Sequence, residues 1–205
     1  MPVTLEQLLQ SRDNRAQHQK DLLGTFPGKS LLCFTVQLPG ADKRNARSLA
    51  IARAGVEAVW EAFAPCHEEL RDLETGFEGY FVVDVPAREA KLRACRIEDT
   101  HPLGRLMDID VVATIDPEAV FSAETGRNLS EENYFSGGFP KNQFSSSSFT
   151  ASPVTIVGRE AVGLPPRRCL LCGAEVRHCM RARTHTTEQL LQRIGELVEA
   201  YLVAD

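Results

Sequence analysis

Apolar residues recur along this chain with two periods, one helical and one extended, and the switches between them divide it into elements. The first segment opens on Thr4, with Gln7 at the reciprocal capping-box position and Leu5, Leu8 and Leu9 as an apolar stripe, which predicts a helix over residues 4–23. Gly24, Pro27 and Gly28 end it. Residues 30–38 (SLLCFTVQL) are nearly all apolar, as in a strand covered on both faces, and Pro39-Gly40 turns the chain. From residue 43 to 63, Leu49, Ala52, Val56, Val59, Trp60 and Phe63 recur every three or four positions, which predicts a long amphipathic helix ended by Pro65. A second strand over residues 79–85 leads into Pro86, a residue suited to the first turn of a helix through AREAKLRACRIED; the next breaker is Pro102.

The stretch LMDIDVVAT (residues 106–114) alternates as a strand should, which sets Asp108 and Asp110 on the same face. A Ser-, Gly- and Asn-rich stretch follows with neither period, and it predicts a flexible insertion over residues 116–155. Phe135, Phe139, Phe144 and Phe149 lie in it without an assigned role. A short strand over residues 154–159 precedes the proline-stiffened LPPRRCLLC segment. A helix over residues 187–203 closes the chain, capped by Thr186 or Thr187 and striped by Leu190, Leu191, Ile194, Leu197, Val198 and Leu202. The pattern predicts an α+β fold, a mixed β-sheet flanked by helices with a C-terminal helix. It forms one domain over residues 1–205, in which residues 159–205 make a Cys/Arg-rich segment plus that helix.

Composition adds limits. At 205 residues, 43% hydrophobic and 25% charged, the chain is that of an ordinary globular protein. Its net charge of −5 argues against a surface built for nucleic acid, yet residues 159–185 hold six arginines against two glutamates, the expected landing place for an anion. No secretory signal pattern and no apolar run of membrane-spanning length is visible, so a cytoplasmic protein without a membrane partner is expected.

Three groups carry chemistry. Asp108 and Asp110, one residue apart on a strand, can jointly hold magnesium on a phosphate-bearing substrate; the same pair also fits the solvated face of an edge strand. Gly104 and Arg105 just before it offer a close backbone approach and a cation to a phosphate. Cys169, Cys172, Cys179 and His185 match the ligand set of tetrahedral zinc, or else are reduced thiols beside an arginine-rich surface. Among the arginines between them, Arg167 and Arg168 follow two prolines and are the expected phosphate-binding pair; Arg177, Arg181 and Arg183 fit either a ligand or a solvated face.

Two stretches, HPLGRLMDIDVV and GLPPRRCLLCGAEVRHCMRARTHTTEQLL, resemble the signature blocks of the apo-citrate lyase phosphoribosyl-dephospho-CoA transferases, also called holo-citrate lyase acyl-carrier synthases. Weaker similarity runs through LLQSRDNRAQHQ, CFTVQLPG and PAREAKLRACRIEDT. The resemblance implies an enzyme that transfers the prosthetic group of 2′-(5″-triphosphoribosyl)-3′-dephospho-CoA to a serine of the citrate lyase acyl-carrier subunit and releases pyrophosphate. Asp108 and Asp110 would hold magnesium, Gly104 and Arg105 would lie along the triphosphate, and Arg167 and Arg168 would neutralise phosphate charge. The acidic pair also resembles that of polymerase-β-type nucleotidyltransferases, with Gly104-Arg105 where a Gly-Ser turn is usual. A third carboxylate acting as base has only Asp84 as a candidate. The alternatives are the malonate decarboxylase carrier as acceptor, and a non-catalytic zinc-stabilised adaptor for an acidic partner.

Overall fold

The computed structural model describes residues 3–114 and 154–204. In chain order they form α1 (Leu5–Thr25), β1 (Ser30–Val36), α2 (Ala46–Phe63), β2 (His67–Leu73), β3 (Gly76–Val83), α3 (Ala87–Thr100), a 3-10 turn (Gly104–Leu106), β4 (Met107–Thr114), β5 (Val154–Val157), a second 3-10 turn (Glu160–Val162), α4 (Val176–Ala182) and α5 (Thr187–Ala204). The α+β class and the C-terminal helix are as expected. The expected insertion and its four phenylalanines lie outside the described residues, except that Val154 and Thr155 belong to β5.

The strands form one sheet in the order β2-β3-β1-β4-β5, antiparallel at every pairing rather than mixed. The difference traces to β2, which the pattern did not reveal. Without it, β1 and β3 are joined only through α2, a crossover that sets strands parallel. The β2–β3 hairpin reverses the direction of β3, so it runs against β1 with Cys33 opposite Tyr80.

One face of the sheet is apolar and is covered by α2, α3 and α5. Leu32, Phe34, Phe81, Val83, Met107, Ile109 and Val111 pack there against Ile51, Val59, Ala94, Ile194 and Val198. Each large side chain so buried contributes about 1.5–3 kcal/mol. On the other face, Leu22 and Leu23 of α1 pack on Leu31, Cys33, Tyr80, Val82 and Val112. The Thr4–Gln7 capping box of α1 is formed, but Leu5 and Leu9 of its expected apolar stripe are 73% and 51% exposed. Trp60, expected on the buried stripe of α2, is 44% exposed and donates its indole N–H to Glu68 at 2.7 Å. No helix among the described residues is long and apolar enough to cross a membrane.

Candidate functional site

The site grows from an incomplete strand pairing. β5 is four residues long and pairs with β4 only from Val111 to Thr114, which leaves the first half of β4 without a strand on that side. Side chains take its place. The Ile109 amide donates to Glu98 Oε1 at 2.9 Å, the Ile109 carbonyl accepts from Lys91 Nζ at 2.9 Å, and the Met107 carbonyl accepts from the Arg167 guanidinium. Buried backbone polar groups must find partners, and here ionised residues supply them. Glu98 is 2% exposed and Lys91 5%. Glu98 also pairs with Arg159 at 3.1 Å and lies 3.5 Å from Arg167.

Asp108 and Asp110 do share a face of β4, opposite Thr35 and Cys33 of β1, on the side covered by α1. Burial holds the Asp110 carboxyl above its usual range, and repulsion from Asp108 raises it further, while Lys91 offsets part of the effect. Two close carboxylates in partial burial form a hard-oxygen donor set suited to a divalent cation, whose charge would relieve that repulsion. Arg167 reaches the same pair and donates to Asp108 Oδ1 at 3.1 Å. Two sequence blocks some sixty positions apart therefore meet at one point.

The other expected phosphate-binding residues are placed less uniformly. Arg105 is half-buried, and its pKa is lowered by burial and by the neighbouring charge of Arg167. Arg168 is exposed, its backbone bridged to Glu175 and its guanidinium 3.4 Å from the Gly173 carbonyl. Gly104 is buried against α3. A Cβ there would meet the Ile97 carbonyl oxygen and come within 2.8 Å of that of Glu98, so the missing side chain is what lets the turn before β4 seat on the helix that carries Glu98. Gly104→Ala is expected to destabilise the fold by about 1–3 kcal/mol in urea unfolding, the usual cost of overpacking.

Sequence reasoning missed Glu98, Lys91, Arg159 and Glu78. Glu78 is 4% exposed, on β3, on the same face as Asp108, with Thr35 as the register partner of both. It accepts from Ser11 at 3.2 Å, Arg15 at 3.0 Å and Tyr80 at 2.7 Å. Gln19 donates to Cys33 Sγ at 3.2 Å, and His18 pairs with Glu69 at 2.9 Å. Burial, then the charge of Asp110, drives the Cys33 thiol strongly upward, so it stays protonated. Ser11, Arg15, His18 and Gln19 recur at helical spacing, so α1 lays a polar stripe over this face where a leucine stripe was expected. The candidate base Asp84 is 80% exposed and pairs with Lys29 at 2.6 Å, on the strand-end side of β3.

Cys169, Cys172, Cys179 and His185 converge, with ligand atoms all within 4.8 Å of one another. Arg177, Arg181 and Arg183 around them are exposed.

Fold and site define an α+β protein in which a carboxylate pair on β4 meets Arg167, and the hairpin that carries that arginine enters a four-residue thiol–imidazole cluster. The chain matches the family described as apo-citrate lyase phosphoribosyl-dephospho-CoA transferase over residues 3–126 and 149–201, and it belongs to that family. It is 30% identical over 210 aligned positions to a Vibrio cholerae protein named "Probable apo-citrate lyase phosphoribosyl-dephospho-CoA transferase", covering 98% of this chain and 94% of the relative. A Streptococcus pyogenes protein of the same name is 28% identical over 206 positions, covering 99% of this chain and 89% of the relative. The resemblance carried by the two sequence blocks is thereby borne out, and the family is one of transferases acting on apo-citrate lyase.

Proposed function

We propose that this protein is a cytoplasmic nucleotidyltransferase that attaches the prosthetic group of 2′-(5″-triphosphoribosyl)-3′-dephospho-CoA to a serine of the citrate lyase acyl-carrier subunit. The observation that carries the reading is the Arg167–Asp108 contact at 3.1 Å, which joins both family blocks into one acidic and cationic centre. The serine Oγ attacks the α-phosphorus of the donor, the bond to the β-phosphate oxygen breaks, and a phosphodiester and pyrophosphate result. Asp108 and Asp110 would hold magnesium, which supplies charge neutralisation on the triphosphate. Arg167 meets Asp108 at the edge of β4 and, with half-buried Arg105 beside it, would orient the phosphates, and exposed Arg168 would extend the cationic rim. The serine proton is released to solvent.

Incubating the apo carrier with this protein, donor and magnesium should add the mass of the prosthetic group and release one pyrophosphate. Arg167→Ala should lower kcat/KM for the donor about 10–100-fold, the worth of a charge-assisted contact. Asp84→Asn should leave it unchanged. An unmodified citrate lyase carrier, or labelling of the malonate decarboxylase carrier in its place, overturns the assignment of acceptor.

A further inference from the structure

We infer that Cys169, Cys172, Cys179 and His185 bind one zinc ion in a closed, structural tetrahedral site. The backbone around them is shaped for it. Residues 167–176 form a narrow hairpin in which Val176 N–H donates to the Arg167 carbonyl at 2.9 Å and Cys169 N–H to the Ala174 carbonyl at 2.6 Å. The tip Cys169-Leu-Leu-Cys172 ends at Gly173, whose φ of +71° lies in the left-handed region and folds the two thiols toward each other.

The other two ligands come from a second fold-back. Cys179 sits in α4, and Arg183, at φ 49°, ends that helix in the left-handed conformation, with Thr184 N–H donating to the Cys179 carbonyl at 3.1 Å. The reversal brings His185 over the sulfurs. Its Nε2 is buried with no hydrogen-bond partner, a state that costs about 1–3 kcal/mol for a polar atom and that a metal bond would remove. Among the buried side-chain nitrogens and oxygens of the described residues it alone is left so.

The distances agree with the chemistry. Zinc–sulfur bonds of about 2.3 Å at tetrahedral angles put sulfurs about 3.8 Å apart. Cys172 Sγ and Cys179 Sγ are 3.4 Å apart, and the whole set spans no more than 4.8 Å. Three thiolates and one imidazole select a soft or borderline cation over magnesium or calcium. With four protein ligands no position is left for water or substrate, so the ion staples the hairpin and α4 into one unit and takes no part in chemistry. The hairpin also carries Arg167, and the staple therefore fixes the stem from which that side chain reaches Asp108.

The inference does not rest on the transfer reaction, because it is read on the purified chain alone. Full-length protein prepared under reducing conditions without chelator should hold one equivalent of zinc by elemental analysis. X-ray absorption should show three sulfurs and one nitrogen without a bound water. Cobalt exchanged into the site should give tetrahedral ligand-field bands with thiolate charge transfer. Cys172→Ser alters an exposed ligand and should cut zinc content at least tenfold, as should His185→Ala. Unchanged zinc in both variants, iron in place of zinc, an open coordination position, a Cys172–Cys179 disulfide in the reduced protein, or failure of the wild-type chain to take up zinc or cobalt would each overturn it.

Discussion

Asp108→Asn and Asp110→Asn are each expected to lower the rate of prosthetic-group transfer by about a thousandfold, roughly 4 kcal/mol of transition-state stabilisation. Each removes one of two anionic oxygens groups that would hold the cation on the triphosphate, and the amide left behind is a poor ligand for a hard ion. Loss of activity alone would also follow from misfolding, so stability is the second readout, and for Asp110 its sign is distinctive. The folded-state pKa of Asp110 lies above its unfolded value. The folded chain therefore retains that proton to higher pH than the unfolded chain does, and stability falls as pH rises from the ordinary carboxylate range through the raised folded value. At neutral pH the ionised group is under strain, and Asn relieves it. Without added metal, Asp110→Asn should melt at a higher temperature than the parent while being inactive. The gain should vanish at a pH low enough to protonate the parent's Asp110. Transfer within about tenfold of the parent in both variants would remove the pair from the mechanism.

Glu98→Ala should produce the largest loss of stability, about 3–5 kcal/mol in urea unfolding, because it breaks a buried ionic group by removing one side. Three groups lose a partner at once: the Ile109 amide, Arg159 and Arg167. Glu98→Gln keeps an acceptor for the amide and should lose less. A Glu98→Ala protein as stable as the parent would mean that water or a neighbouring side chain replaces the carboxylate at the strand edge. The midpoint shift at constant denaturant slope is the measurement.

How much of this was legible in the sequence depends on how local each signal is. The strand alternation of MDIDVVAT placed Asp108 and Asp110 on one face correctly, since a two-residue period needs no distant information. The capping box at Thr4 was likewise readable from a neighbour three positions away, and of the two caps expected for the last helix, Thr186 is the one that bonds Gln189. β2 was not, because HEELRDL is charged and only its place on an open sheet edge makes that composition tolerable. α4 spans seven residues, too few to show a period or to hold itself as an isolated helix. Glu98 and Lys91 read as ordinary charges on a helix. What buries them is the shortness of β5, a property of a strand nearly sixty positions later.

The mixed sheet was a consequence of the missing strand, since one reversal fewer along the chain sets β3 running the other way. The third carboxylate was sought on a neighbouring strand, and Glu78 lies on one, a single residue before the point at which the strand was expected to begin. Two of its partners, Ser11 and Arg15, come from α1, which sequence alone described by its leucines.

The half-strand edge of β4, closed by Glu98, Lys91 and Arg167, has a further consequence for how this protein behaves in a crowded solution. An exposed row of backbone N–H and C=O groups is a template on which another chain can add a strand and begin to aggregate. Here the donors and acceptors are already engaged by charged groups from α3 and by Arg167 of the hairpin, and an incoming peptide would have to displace ions that cannot be left buried alone. The arrangement that presents the carboxylate pair thus also keeps this stretch of β4 from recruiting a strand of its own kind.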